Sequence, residues 1–363
     1  MTWNRIIACA CAVVLMTGSS CCAAGARDDL DTLQQVASGG FYVDPNSSAA
    51  RAMVDYPETA STVARLADTP QAFWLSATSP PSAVANEVGR YVDGAASADA
   101  VPVLVTYAIP QRDCGSFSAG GYSNGADYRA WSDSVAAGIG NREAVVIVEP
   151  DALTDRSCLS SEQVAERMDL LRYSVNALSA DANTAVYIDG GHSRWLDASE
   201  LASRLGSAGV DRARGFSLNV ANFYTTAEQE AYGESVSALT GGKTYVVDTS
   251  RNGAGPPPEG PLNWCNPPDR ALGSAPTRQT QAAHADAYLW VKHPGESDGT
   301  CNRGEPPSSV WWNAYAVAIV QNSGRRRNSS RRCGSHTARR SHTARREMAR
   351  SEIEMARSEI ALA

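Results

Sequence analysis

The chain has 363 residues, 43% of them hydrophobic, and a formal net charge of -7; this is enough apolar material for one large core and excludes a wholly disordered protein. Its last forty residues hold eleven Arg against four Glu, which leaves 21 basic against 35 acidic side chains, or -14, in the body. An acidic body excludes nucleic acid as the main partner, because phosphate binding needs a basic footprint.

The chain opens MTWNR, continues IIACACAVVLM and reaches small residues at Ala24-Gly25-Ala26. A charged start, a short apolar stretch and an A-x-A site predict a secretory signal over 1–26. The apolar stretch is too short for stable membrane insertion across a hydrocarbon core of ~30 Å. Lipidation at Cys21 is the competing reading, weakened because Gly18-Ser19-Ser20 puts no apolar residue before it. A secreted, monomeric product is expected.

Through the predicted catalytic region, 27–323, seven apolar runs alternate with helix-like segments. In chain order the runs are AFWLSA from Ala72, VPVLVTY from Val101, AVVIVEP from Ala144, TAVYID from Thr184, GFSLNV from Gly215, TYVVDTS from Thr244 and AYLWVK from Ala287. Between them, DYRAWSDSVAAGIG and SSEQVAERMDLLRYSVNALSA read as amphipathic helices, the second opened by Ser160, Ser161 and Glu162 as cap signals. This alternation predicts βαβ units, an α/β fold and a parallel sheet. Trp131 and Trp290 are predicted core residues, and Trp311 and Trp312 are expected to pack a last helix that gives way after Asn322. The tail, 324–363, contains SHTARR twice and EMARSEI twice. Without apolar periodicity it is predicted to be disordered.

Cys9, Cys11, Cys21 and Cys22 fall in the signal region and Cys333 in the tail. Cys114, Cys158, Cys265 and Cys301 would form two disulfides in an exported body, and the sequence leaves three pairings open. No C-x-x-C or H-x-x-x-H spacing occurs, so no metal site and no cofactor are expected.

Asp113, Asp151, Asp189, Asn219, Asp248 and Lys292 all fall at or just past the downstream end of an apolar run. In an α/β barrel those ends converge on one mouth, which predicts an active site with Glu149 and Asp151 held at its rim. Glycosidic bonds break through an oxocarbenium-like transition state that needs one protonated carboxyl and usually a second carboxylate. A crowd of aspartates supplies both, since like charges and partial burial keep a proton on one of them.

The segments TYAIPQRDCGSFSAGG, VVIVEPDAL, YIDGGHSRWLDA, NVANFYTT, DTSRNGAG with WCNPP, and LWVKHPGESDG, found in this order between Phe41 and Asn322, resemble glycoside hydrolase family 6. The resemblance implies a distorted, TIM-like, seven-stranded parallel β/α barrel forming a single catalytic domain, and inverting cleavage of β-1,4-glucan. By motif, Asp151 would be the general acid. Asp113 would raise the acid's pKa and help relay a proton from the attacking water, and Asp298 would match the base. Asp189 would hold the sugar ring or the charge network, Tyr107 would lie against a distorted sugar, and Arg112 would pair with the acids. Trp74, Trp195 and Trp264 would be stacking platforms, with Asn222, Lys292 and Glu296 bonding to hydroxyls. The same resemblance pairs Cys114 with Cys158 and Cys265 with Cys301. Ala119 stands where some members have serine, with Ser118 adjacent.

The short link GTCNRGEPPSSV after Asp298 predicts an open cleft and internal cleavage; exo action, releasing cellobiose, is the alternative. Two other classes are weaker. Gly121-Tyr122-Ser123-Asn124-Gly125 fits the G-x-S-x-G pattern of serine hydrolases, but that elbow needs a strand before the serine and here a loop precedes it. A glucan-binding protein without turnover would have no need of Asp113, Asp151, Asp189 and Asp298 together.

Overall fold

The computed structural model describes residues 40–324. The signal reading, the Cys21 alternative, Cys333 and the tail reading beyond its first residue, Gly324, all lie outside the described residues; Gly324 itself is helical. Each of the seven apolar runs forms a strand: β1 (Phe73–Ser76), β2 (Val103–Tyr107), β3 (Ala144–Val148), β4 (Thr184–Asp189), β5 (Gly215–Leu218), β6 (Thr244–Asp248) and β7 (Ala285–Leu289). β7 begins before the predicted Ala287, so Trp290, Val291 and Lys292 lie just beyond it. The strands pair in chain order, every neighbour parallel.

Two helices, α1 (Ser48–Asp55) and α2 (Ala60–Ala67), precede the sheet. α3 (Pro81–Ser97), α4 (Gly125–Ile139), α5 (Ser161–Leu178), α6 (Ala198–Ser207) and α7 (Thr226–Leu239) follow β1 to β5 in turn. A last helix, α8, spans 313–324. Loop side chains set where helices start: Asn124, Ser160, Asp197 and Thr225 each accept the backbone N–H three residues on. At Ser160 the predicted cap is a capping box whose second member is Gln163. Asn124 being the cap of α4, Ser123 sits in a bend and not at the end of a strand, which removes the nucleophile elbow.

The sheet is buried on both faces, which is why its strands are continuous apolar runs and not alternating ones. Val103, Val105, Val145, Ile147, Tyr187, Val246 and Leu289 form an inner cluster. Their neighbours Leu104, Val146, Val148, Val186, Ile188, Phe216 and Val247 meet the helices together with Trp131. Each such aliphatic side chain contributes about 1.5–3 kcal/mol by leaving water. A third cluster joins α1 and α2 to Trp290 and to Tyr315, Ala316 and Ile319 of α8, with Trp311 and Trp312 packed against it. Trp131 and Trp290 are thus core, as expected. No helix among the described residues is long and apolar enough to cross a membrane.

Candidate active site

The loops leaving β2, β3 and β5 hold non-glycine residues in the left-handed region: Gln111, Asp113, Cys114, Glu149, Asp151, Asn219 and Ala221. Such conformations cost on the order of 1 kcal/mol or more each and persist where packing over-determines them. Here they end the strands abruptly and re-aim side chains. Glu149 and Asp151, close in sequence, consequently part company. Glu149 is 1% exposed, and its carboxylate accepts the N–H groups of Ala108 (3.0 Å) and Ile109 (3.1 Å) and the hydroxyl of Tyr128 (3.1 Å). The expected rim position of Glu149 is therefore corrected: it is an internal staple for the loop after β2. Asp151 alone reaches the cleft.

That cleft, about 1070 Å³, is lined by Trp74, Tyr107, Arg112, Asp113, Asp151, Trp195, Asn222, Trp264, Lys292, Glu296 and Asp298. The three predicted catalytic acids and the predicted platforms thus share one cavity. Burial, and then the charges of Asp189, Asp113 and Asp155, push the Asp151 carboxyl well above the usual carboxylate range. Burial also raises Asp113, opposed by the Ser118 N–H, which donates to its Oδ2 at 2.6 Å.

Asp298 is driven the other way. Burial alone would raise it, but the charges of Arg251 and Lys292 outweigh burial and hold it below the ordinary value. Arg251 Nη1 stands 2.9 Å and Lys292 Nζ 3.5 Å from its oxygens, and the Asn266 N–H donates at 2.9 Å. Arg251 is fully buried and also donates to the Ala221 carbonyl. Its motif, DTSRNGAG, gives it no role from the sequence alone. An arginine directly after a buried strand was the available signal.

Two assignments change. Asp189 does not line the cleft; it is fully buried beneath it, its oxygens accepting the N–H groups of Asp151 (3.0 Å) and Gly191 (3.1 Å) and the Ser217 hydroxyl (3.0 Å). With no oxygen left for a sugar, it serves the charge network, and burial pushes its pKa up to about 6. Arg112 makes no ion pair with an acid among the described residues. It donates to the carbonyls of Tyr107, Ser118 and Ala119 and lies over the Tyr107 ring, 4.5 Å from the centroid. It shapes the loop that carries Asp113. Asn219 and Asp248 also lie below the mouth, buried. Asp248 gathers the N–H groups of Ala221, Ser250, Val291 and Lys292, binding three loops to one carboxylate.

Trp195 and Trp264 are each 38% exposed, unusual for tryptophan in a packed protein. Trp74 is edge-on to Tyr107 with ring centroids 5.2 Å apart, and its indole N–H donates to the Val291 carbonyl. His192, within YIDGGHSRWLDA, has its ring centroid 5.3 Å from that of Trp195 and 4.4 Å from that of Tyr224. Burial lowers its pKa to about 4, so it is neutral. Disulfides join Cys114 to Cys158 and Cys265 to Cys301, the pairing that the resemblance implied. The loops bearing Asp113 and Asp298 also meet directly, Ser118 Oγ lying 2.7 Å from Ser308 Oγ.

Comparison with known proteins identifies the family. The profile of the glycosyl hydrolases family 6 matches residues 36–323. Endoglucanase A of Cellulomonas fimi is 43% identical over 288 residues, 79% of this chain and 62% of that protein, so the chain spans less than two thirds of that relative's length. Endoglucanase 1 of Streptomyces halstedii is 44% identical over 74% of this chain and 84% of its own length. Among solved structures, the endoglucanase Cel6 from Mycobacterium tuberculosis, in complex with methyl-cellobiosyl-4-deoxy-4-thio-β-D-cellobioside, is 54% identical, with a TM-score of 0.79 over 80% of this chain and 99% of that one. By sequence and by fold, the chain belongs to the glycosyl hydrolases family 6.

Proposed function

We propose that this protein is a secreted, monomeric endo-β-1,4-glucanase that hydrolyses cellulose-type glucan with inversion at the anomeric carbon. One feature carries the reading: in a single cleft, burial and neighbouring aspartates push the Asp151 carboxyl well above the usual carboxylate range, while Arg251 and Lys292, against burial, hold Asp298 below it. Two carboxyl groups whose pKa values are driven apart are what acid-assisted glycoside cleavage requires.

In this mechanism Asp151 gives its proton to the glycosidic oxygen as the bond from that oxygen to C1 breaks. A water oxygen forms the new bond to C1 from the opposite face. Asp298, paired with two cations, is a weak base; its carboxylate oxygen orients the water. Asp113, with its raised pKa, takes the water's proton through a relay. Tyr107 presses on the sugar at the cleavage point, Trp74, Trp195 and Trp264 stack on others, and Asn222, Lys292 and Glu296 bond to hydroxyls.

The relatives named endoglucanases and the cellobioside-bound relative support the glucan and the internal mode of cleavage. The contact between Ser118 and Ser308 does not oppose it, since one neutral hydrogen bond contributes only about 1 kcal/mol, too little to hold a tunnel shut. Secretion is supported by the signal reading and by the two disulfides. The test is cellohexaose hydrolysis in heavy-oxygen water with product length and anomer resolved. Internal cuts releasing the α-anomer are expected from the unaltered protein, and Asp151→Asn should bind cellohexaose yet turn over about a thousandfold more slowly. A β-anomeric product, or full activity in Asp151→Asn, overturns the reading.

A further inference from the structure

The parallel ladder runs from β1 to β7 but, among the described residues, no ladder joins β7 back to β1. The barrel is closed there by other means. The Ala72 N–H donates to the Trp290 carbonyl at 3.0 Å. The Trp74 indole N–H donates to the Val291 carbonyl at 2.8 Å. His293 Nε2 lies 2.6 Å from the Ala72 carbonyl oxygen, and its Nδ1 lies 2.8 Å from Glu296 Oε1.

The chemistry of the partners fixes the state of the ring. A carbonyl oxygen only accepts, so Nε2 carries a proton. Nδ1 faces the Glu296 carboxylate, which burial would raise but which the His293 and Lys292 charges hold at about 2. Burial would lower the His293 pKa, but the Glu296 charge outweighs it and raises it; Nε2 thus donates to the residue that leads into β1, while Nδ1 stands against an acid of the cleft wall. Trp74, His293 and Glu296 all line the cleft.

We propose that His293 is a positioning residue for the sugar subsite formed by Trp74 and Glu296. By tying the entrance of β1 to the loop after β7, it holds a stacking ring and a hydroxyl acceptor in fixed relation across the one join in the barrel that lacks a strand ladder. The inference rests on the glucanase reading for the identity of the ligand. The reacting groups have closer anchors of their own: Asp298 is held by Arg251 and Asn266 at 2.9 Å each, with Lys292 farther off at 3.5 Å, and Asp151 is held through Asp189. Loss of His293 therefore weakens binding and spares the chemical step.

The test combines calorimetry and kinetics with cellohexaose. In an Asp151→Asn background, His293→Ala should raise Kd about tenfold; in the otherwise unaltered protein it should raise KM similarly with kcat within about twofold. His293→Gln, which keeps an N–H for the Ala72 carbonyl, should recover part of the loss. The effects of His293→Ala and Glu296→Gln should be less than additive, because both act on one subsite. Unchanged Kd and KM in His293→Ala, or a fall in kcat with KM constant, overturns the proposal. If His293→Ala does not fold, His293→Gln decides: a native melting temperature with unchanged KM overturns it. An unaltered protein that binds cellohexaose in a His293-dependent way but does not cleave it overturns the hydrolase reading and leaves this one standing.

Discussion

The backbone N–H of Asp151 donates to Asp189 Oδ2 at 3.0 Å, so the residue bearing the proposed acid is fastened to a second, fully buried carboxyl group. One contact does two things: it fixes the Asp151 backbone and places a negative charge beneath its side chain. Asp189→Asn keeps an acceptor and removes the charge. The Asp151 pKa should then fall, and because a general acid works only while protonated, the alkaline limb of the kcat profile should move to lower pH by roughly one unit. A pH–rate profile on a soluble oligosaccharide reads this directly; an unmoved alkaline limb would refute the coupling.

Stability should respond to pH in a related way. The folded pKa of Asp189, about 6, lies above its unfolded value of ~3.9. Its contribution is present in full below the unfolded pKa and is lost as pH rises through the folded one. Asp113, Asp151, Glu149 and Asp248 are raised and act in the same direction. Asp298 and Glu296 are depressed, so their contribution is present above the unfolded carboxylate pKa and is lost as pH falls. Melting temperature should therefore peak in mildly acidic solution and decline toward neutrality, and Asp189→Asn should flatten the decline.

Arg251 is held wholly inside the protein against Asp298. Arg251→Met leaves a buried carboxylate short of its main cation and should cost about 3–5 kcal/mol in a denaturant melt. The double replacement Arg251→Met with Asp298→Asn should regain much of that stability without regaining activity. Equal stability of the single and double variants would show that the pair is not coupled.

Glu149 gives a sharper contrast with Asp151. Glu149→Gln puts an amide N–H₂ where backbone and hydroxyl donors already converge, so about 1–3 kcal/mol of stability should be lost. Activity should fall only as far as the Tyr107 loop shifts, without a change in the alkaline limb. A shifted limb would mean that Glu149 communicates with the acid after all.

The strands were legible because a sheet buried on both faces leaves continuous apolar runs, and every run from Ala72 to Lys292 proved to hold one. Chemistry at their ends was legible as a place but not residue by residue. Glu149 and Asp151 look alike in sequence; the left-handed turns at both send one inward and one into the cleft, and nothing local announces which. Asp189, the last residue of β4, was hidden because nothing local tells a buried strand end from one that opens into the cleft. Arg251 and His293 were missed because their partners, Asp298 and the Ala72 carbonyl, come from distant loops. The residues alone left three disulfide pairings open, and only the resemblance narrowed them to the pairing observed.

Both disulfides sit among the loops of the cleft, one beside Asp113 and the other joining the Trp264 loop to that of Asp298; neither crosses the layer where helices meet the sheet. A mild reductant should therefore slacken the catalytic rim while the barrel beneath keeps its circular dichroism. Material made in a reducing cytosol would then pass as well folded by bulk spectroscopy and still be a poor catalyst, until oxidation restores the two clasps.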